Sequence, residues 1–339
     1  MHRQNNRTPF CTTPPHRRTG PDFPRRWRLV LQEPRLILGI GELLWDVLPD
    51  GPRLGGAPAN FAVMASRLGN HAAILSRIGR DQLGQNALET LDPLPADIGH
   101  LQIDATHETG RVSVTIRDSQ PDYVIHQSAA WDFLALSDDW VELAERADAI
   151  CFGTLAQRNA VSRQTIQELA AETSAECLRI FDVNLRAPFY TAETVQESLE
   201  LATVVKMNDA EVPLVLGLLG LPNDVSDPTA LRAAAQRLLT EFPKLRLVAI
   251  THGSNGSLLV TREEWDQHPG ISVEVADTIG AGDAFTAAMA HDLLRGADLR
   301  RLNEVGNRWG AWVASQSGAM PPMPEAARES IEGAIERGS

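Results

Sequence analysis

The chain has 339 residues, 43% of them hydrophobic and 22% charged, so it can bury a substantial core as one large α/β domain or two smaller ones. The formal net charge is −13, and residues 1–35 hold eight Arg against only Asp22 and Glu33, so the body of the chain is more acidic still and a general nucleic-acid partner is excluded. Cys11, Cys151 and Cys177 form neither a CxxC pair nor a metal-ligand spacing, and no run of about 18 apolar residues or signal-peptide core is present, which predicts a soluble cytoplasmic protein without a membrane partner.

Residues 1–33 mix Pro, Arg, Thr and Asn without apolar periodicity and are expected to be a disordered N-terminal extension. Order should begin at 35–41, where the run RLILGIG reads as a buried strand. Gly39 and Gly41 invite a dinucleotide fingerprint, but Leu44 stands where its third glycine belongs. Glu42 and Asp46 follow, then Gly55, Gly56, Ala57, Pro58, Ala59 and Asn60 open a helix with Phe61, Ala62, Ala65 and Leu68 on one face and Gly69 as its stop. Gly55 and Gly56 allow a ligand to approach the backbone, and Asn60 offers both a donor and an acceptor; a merely Gly-rich connection would look the same.

Residues 72–78 read as one strand, ended by Gly79, Arg80 and Asp81. Over 110–116, Val112, Val114 and Ile116 alternate with Ser113 and Thr115, which predicts a half-exposed strand unlike the buried ones, continued around Tyr123 to His126. Such a sheet is a candidate lid or dimer surface. Strands are expected over 149–153, 178–183, 204–208 and 245–251, with helices over 162–173 and 228–239 between them. This β-α order implies a mostly parallel sheet covered on both faces, with ligands beyond the carboxyl ends of the strands. The polar groups Asp182 to Arg186, Asn208 to Glu211 and Thr251 to Gly256 all fall at such ends, and a returning strand follows over 257–261. The last helix is expected over 299–316, with Asn307 on it.

The stretch DTIGAGDAF, residues 277–285, reads as a loop feeding a helix start. The first N–H groups of a helix lack internal partners and carry the positive end of its dipole, so this turn can hold an anion, with Gly280 and Gly282 keeping side chains away. Asp283 then sets a carboxylate beside that anion. Read alone it is either a helix cap or a base for a group attacking a phosphate.

The segments Gly55 to Asn60 and Asp277 to Asp283, in this order and with Asn208, Glu211 and the Thr251 to Gly256 turn between them, resemble the PfkB family of carbohydrate kinases over about residues 35–325. The resemblance implies a ribokinase-like three-layer α/β/α sandwich with a mostly parallel central sheet, as one kinase domain over 34–330 with a small β lid near 45–54 and 110–127. It implies Asp283 as base, the amides of Gly280, Ala281 and Gly282 as anion hole, and Asp46, Gly55, Gly56 and Asn60 as the sugar-binding group. Asn208, Glu211, Thr251, Gly253, Gly256 and Asn307 match nucleotide-site positions, with Glu211 meeting Mg²⁺ through water. Asp277 matches a monovalent-cation (K⁺) position, although Pro322 stands where some relatives offer a hydroxyl. ATP and Mg²⁺ are the implied cofactors, and a homodimer through the lid the implied assembly.

A carboxylate at a helix N-terminus is expected to stay ionised and to be a weak base. In a loose phosphoryl-transfer transition state orientation matters more than basicity. No lysine is required from a P-loop frame either, since Lys206 and Lys244 are the chain's two lysines and neither lies in one. The phrases around Trp45-Asp46, Trp131-Asp132, 153–158 and 182–186 are similar to bacterial fructokinases, which favours fructose; Gln157 and Arg186 are further substrate candidates. A 2-keto-3-deoxygluconate kinase, a ribokinase, and a non-catalytic sugar or nucleotide sensor are the alternatives.

Overall fold

The computed structural model describes residues 33–48, 51–117, 120–225 and 227–338. In chain order these form β1 (Leu36–Ile40), β2 (Leu44–Leu48), β3 (Gly51–Gly55), α1 (Ala57–Arg67), β4 (His71–Leu75), β5 (Arg77–Gly79), α2 (Gln82–Leu91), β6 (Gln102–Asp104), β7 (Gly110–Arg117), β8 (Gln120–Ile125), α3 (Asp138–Arg146) and β9 (Ala149–Phe152). There follow α4 (Ala160–Glu172), β10 (Leu178–Asp182), α5 (Ala192–Leu201), β11 (Val204–Asn208), α6 (Glu211–Leu218), α7 (Pro228–Glu241), β12 (Leu247–Thr251), β13 (Ser257–Val260), β14 (Trp265–His268), α8 (Ala281–Leu293), α9 (Leu299–Ala314) and α10 (Glu325–Gly338). The helix starts are marked locally: the side chains of Asp81, Ser137, Asn159, Thr191, Asp227 and Asp298 each accept a first-turn amide. Each such cap contributes about 1 kcal/mol.

The main sheet has eight strands in the order β14-β13-β12-β11-β10-β9-β1-β4. It is parallel from β12 to β4, and β13 and β14 return antiparallel. Because side chains alternate across a strand, two cores form. Leu38, Ile40, Ile150, Phe152, Phe181, Val205 and Ile250 face α3 to α7 through Trp140, Ile166, Val195, Val212 and Leu238. Ile37, Ile74, Ile180, Val204 and Leu259 face α1, α2 and α8 to α10 through Phe61, Leu91, Met289, Leu302 and Ile335. Each fully buried Leu, Ile or Phe contributes roughly 1.5–3 kcal/mol. Helix α1 sits on β1 at Gly39, where a Cβ would run into Pro58 O. That contact brings Asn60 over the carboxyl end of β1.

The segments expected to form the lid make a separate four-stranded sheet in the order β3-β2-β7-β8. Its β2 pairs antiparallel with β3 and parallel with β7. Three sequence expectations need correction. The single strand expected over 72–78 is two: Ser76 Oγ donates to Gly41 O at 2.6 Å, and beyond it β5 leaves the main sheet to pair with β6. Asp81, read as a strand stop, caps α2. Helix α9 is not the last, since α10 buries Ile335 in the core and runs through 330, the expected end of the kinase domain. The expectation for 1–33 falls, apart from Glu33, outside the described residues. Among the described residues no helix is long and apolar enough to cross a membrane.

Candidate active site

The polar groups at the carboxyl ends of β1, β10 and β11 meet the N-terminus of α8. Gly280 caps this helix in the left-handed region at φ 79°, where a side chain would also collide with Ala319. No side chain caps the helix, so its first turn keeps amide donors for an anion. Asp283 lies in that turn and accepts from Asn60 Nδ2 at 2.7 Å. Two segments more than 200 residues apart in the chain thus share one hydrogen bond.

Asp283 is partly exposed, and protein atoms crowd around its carboxyl. Burial, with the nearby Asp182 carboxylate, raises it to about 6 against the pull of Lys206, the Asn60 bond and Arg186. This runs against the expectation of a strongly ionised, weak base, and its leading cause is desolvation. A carboxyl near 6 is a competent general base at neutral pH.

Asn60 is itself 5% exposed, and its Oδ1 is buried without a partner. Glu42, 4% exposed at the end of β1, has its Oε2 in the same state. Burial raises Glu42 to about 7, with Asp283 adding to the shift and Arg186 opposing it. Asp46 is raised by burial, and again Arg186 opposes while Asp277 adds. A Cβ at Gly55 would stand 3.3 Å from Asp46 Oδ2, and one at Gly56 would run into Glu42 O. The structure therefore brings Asp46, Gly55, Gly56, Asn60, Arg186 and Asp283 into one neighbourhood, and adds Glu42, for which the sequence had assigned no role.

On the other side of the α8 turn, Glu211 and Asn208 cap each other. Glu211 Oε2 accepts Asn208 N at 2.8 Å, its Oε1 accepts Leu185 N at 2.7 Å, and Asn208 Oδ1 accepts Glu211 N at 3.0 Å. Asn208 pairs with Thr251 across β11 and β12, which sets the nucleotide candidates side by side. Gly253 at φ 56° faces open space, whereas Gly256 is required by the close approach of His268 O on β14. Asn307 is occupied within the protein: its Nδ2 donates to Ser257 Oγ at 2.6 Å and to Asn303 O at 2.8 Å. Gln157 is likewise drawn away from the carboxylates, donating to Gly153 O at 2.8 Å and to Ser198 Oγ on α5 at 2.9 Å. Asp277 Oδ2 accepts from Arg53 Nη1 on the lid at 2.9 Å and from Gly318 N at 3.2 Å. Among the described residues no group of three or more His, Cys, Asp or Glu could cage a metal ion.

Sequence reasoning missed the pair beneath the turn. Lys206 Nζ lies 3.1 Å from both carboxylate oxygens of Asp182, and Thr286 Oγ1 donates to Asp182 Oδ2 at 3.0 Å. The signal available was a lysine inside an apolar strand, where a lone cation is expensive without a partner.

The pattern of the pfkB family carbohydrate kinases matches residues 51–326. The chain belongs to this family. It is a carbohydrate kinase with the ribokinase-like fold, and it is 31% identical over 303 residues to the sugar kinase PH1459 of Pyrococcus horikoshii, covering 84% of this chain and 91% of that one. The crystal structure of that Pyrococcus horikoshii protein, an uncharacterized sugar kinase in complex with ATP, superimposes with a TM-score of 0.74 at 29% identity, over 89% of this chain and 99% of the other. Fructokinase-1 of Zea mays is 28% identical over 318 residues, 85% of this chain and 94% of its own. The fructokinase of Vibrio cholerae O395, in a fructose, ADP and calcium ion bound form, matches with a TM-score of 0.71 and 26% identity over 88% of this chain and 98% of that one.

Proposed function

We propose that this carbohydrate kinase transfers the γ-phosphoryl group of ATP to a hydroxyl of fructose. The observation that carries the reading is Asp283, held by Asn60 at 2.7 Å in the uncapped first turn of α8. In this reaction the Asp283 carboxylate takes the proton of the sugar hydroxyl, whose oxygen bonds to the γ-phosphorus. The bond from that phosphorus to the β,γ-bridging oxygen breaks, and ADP leaves with the electron pair. Amides of Gly280, Ala281 and Gly282 donate to the phosphoryl oxygens as charge develops.

Asp46, Gly55, Gly56 and Asn60 line the sugar, and the free Asn60 Oδ1 accepts a sugar hydroxyl. Asn208, Thr251 and Gly253 line the nucleotide. A Mg²⁺ ion would be carried by the phosphates and water, with Glu211 reached through a water. When bound, the metal neutralises phosphate charge. A K⁺ at Asp277 would share its carboxylate with Arg53. A homodimer through the lid is supported by Val47 and Val124, which stay 39% and 44% exposed on that sheet. Buried, unpaired Cys151 and Cys177 fit a cytoplasmic setting.

The fructose assignment is supported by the fructokinase relatives. Arg186, whose charge reaches Glu42, Asp46 and Asp283, favours a second reading in which the substrate is an acid sugar such as 2-keto-3-deoxygluconate. Parallel kcat/KM values for fructose, 2-keto-3-deoxygluconate and ribose decide; a win of about tenfold or more for the acid sugar, roughly 1.4 kcal/mol, removes fructose. Asp283→Asn is expected to keep nucleotide binding and lose about a thousandfold or more in turnover. Equal rates in variant and wild type would sink the role of Asp283 as the base.

A further inference from the structure

A buried cation lies under the phosphoryl-receiving turn. Lys206 is 8% exposed and sits on β11 directly across from Asp182 on β10. Its Nζ is 3.1 Å from each Asp182 oxygen. Asp182 is approached from the other side by Thr286, which stands one turn after Asp283 on α8 and whose single hydroxyl proton is shared between Asp182 Oδ2 at 3.0 Å and Gly282 O at 2.9 Å. A Cβ at Gly282 would come 2.9 Å from Lys206 Nζ, so the ammonium rests against the backbone of the turn itself. The chain thus runs from Lys206 through Asp182 and Thr286 to the helix that carries Asp283.

The charges around this ammonium make its presence more than packing. Asp283 is faced by Asp182 from β10, Lys206 from β11, Arg186 from the loop after β10, and Glu42 from the loop after β1. Lys206 is faced by Asp182, Asp283 and, from α6, Glu211, while the Cys151 thiol of β9 lies in the same field. Without Lys206, an incoming phosphoryl group would meet Asp182, Asp283, Glu42 and Glu211 with only Arg186 and the amide dipoles of the turn to oppose them.

We propose that Lys206 is a positioning residue for phosphoryl transfer: held by Asp182 beneath the Gly280 to Asp283 turn, its ammonium makes that turn receptive to the anion and keeps Asp283 in its proton-accepting form. The proposal rests on the reading of this site as the place of phosphoryl transfer. Burial opposes the charge on Lys206, but the surrounding carboxylates raise its pKa above the ordinary lysine value, so the ammonium persists across the working pH range. The same ammonium lowers Asp283.

The test compares Lys206→Met, Lys206→Arg and the doubly neutral Lys206→Met/Asp182→Asn with wild type. Measured are kcat and KM for sugar and ATP from pH 5 to 9, and ADP affinity by calorimetry. Lys206→Met is expected to lose about a hundredfold or more in kcat with sugar KM within about threefold, and its acid limb should move to higher pH. Lys206→Arg should recover much of the rate. If Lys206→Met fails to fold, the double variant decides, because it leaves no unpaired buried charge; it is expected to melt like wild type yet remain slow and bind ADP more weakly. Recovery of wild-type kcat in the double variant, or an unmoved acid limb in a folded Lys206→Met, overturns the proposal. Should wild type phosphorylate no sugar, the kinase reading fails, and unchanged ADP affinity in the double variant would then separately overturn the role of Lys206.

Discussion

Arg53 and Asp277, 224 residues apart in the chain, form a salt bridge at 2.9 Å that ties the lid strand β3 to the loop entering α8. Asp277 also accepts Ile279 N at 3.0 Å, so the pair links lid position to the shape of the Gly280 turn. The arginine side chain is 34% exposed, and solvent screens the bond to at most about 1 kcal/mol of stability. Arg53→Ala is therefore expected to change Tm little while raising sugar KM on the order of fivefold, with ATP KM unchanged. Steady-state kinetics at fixed saturating cosubstrate check it; an unchanged sugar KM would uncouple the lid from the turn.

The proposed base predicts the shape of the pH profile. Asp283 must be ionised to accept a proton, and burial places it at about 6, so kcat/KM should fall as pH drops through this region. Glu42, raised to about 7, is electrostatically coupled to it, and the limb will report the pair rather than either carboxyl alone. The Asn60 bond lowers Asp283, so Asn60→Ala should move the limb to higher pH. A profile flat from pH 5 to 8 would contradict the assignment.

Glu42→Gln offers a test in stability rather than rate. The folded-state value of about 7 exceeds the ordinary 4.5, so the folded protein holds this proton more tightly than the unfolded chain. The contribution of Glu42 is then most favourable below about pH 4.5 and is lost as pH rises through 7, a change of roughly 3 kcal/mol. Glutamine keeps the shape and carries no titrating proton. Thermal melts should show the variant several degrees more stable than wild type at pH 8, with the gap closing toward pH 5. A wild type that gains stability relative to the variant on raising pH would refute the buried, proton-holding carboxyl.

What the sequence by itself determined is what short-range spacing encodes. The alternation of apolar runs and amphipathic segments yields the parallel sheet; Asp81, Ser137 and Asp227 carry their helix starts in the adjacent residues, although only the structure revealed Asp81 and Ser137 as such. Gly55 to Asn60 and Gly280 to Asp283 are contiguous, so their recognition required no tertiary knowledge. Tertiary structure decided everything that depends on neighbours from distant elements. Lys206 meets Asp182 only because β10 and β11 are adjacent, and Asp283 is raised only because four segments pack around it. Gln157 and Asn307 look like ligand residues in the sequence, yet packing gives their amides partners on α5, β13 and α9. Strand β5 departs from the main sheet through hydrogen bonds of Ser76 and β6 that leave no periodic trace in an apolar run. Capping and periodicity act over three or four residues, whereas the field at a buried carboxyl sums charges and lost water from across the fold.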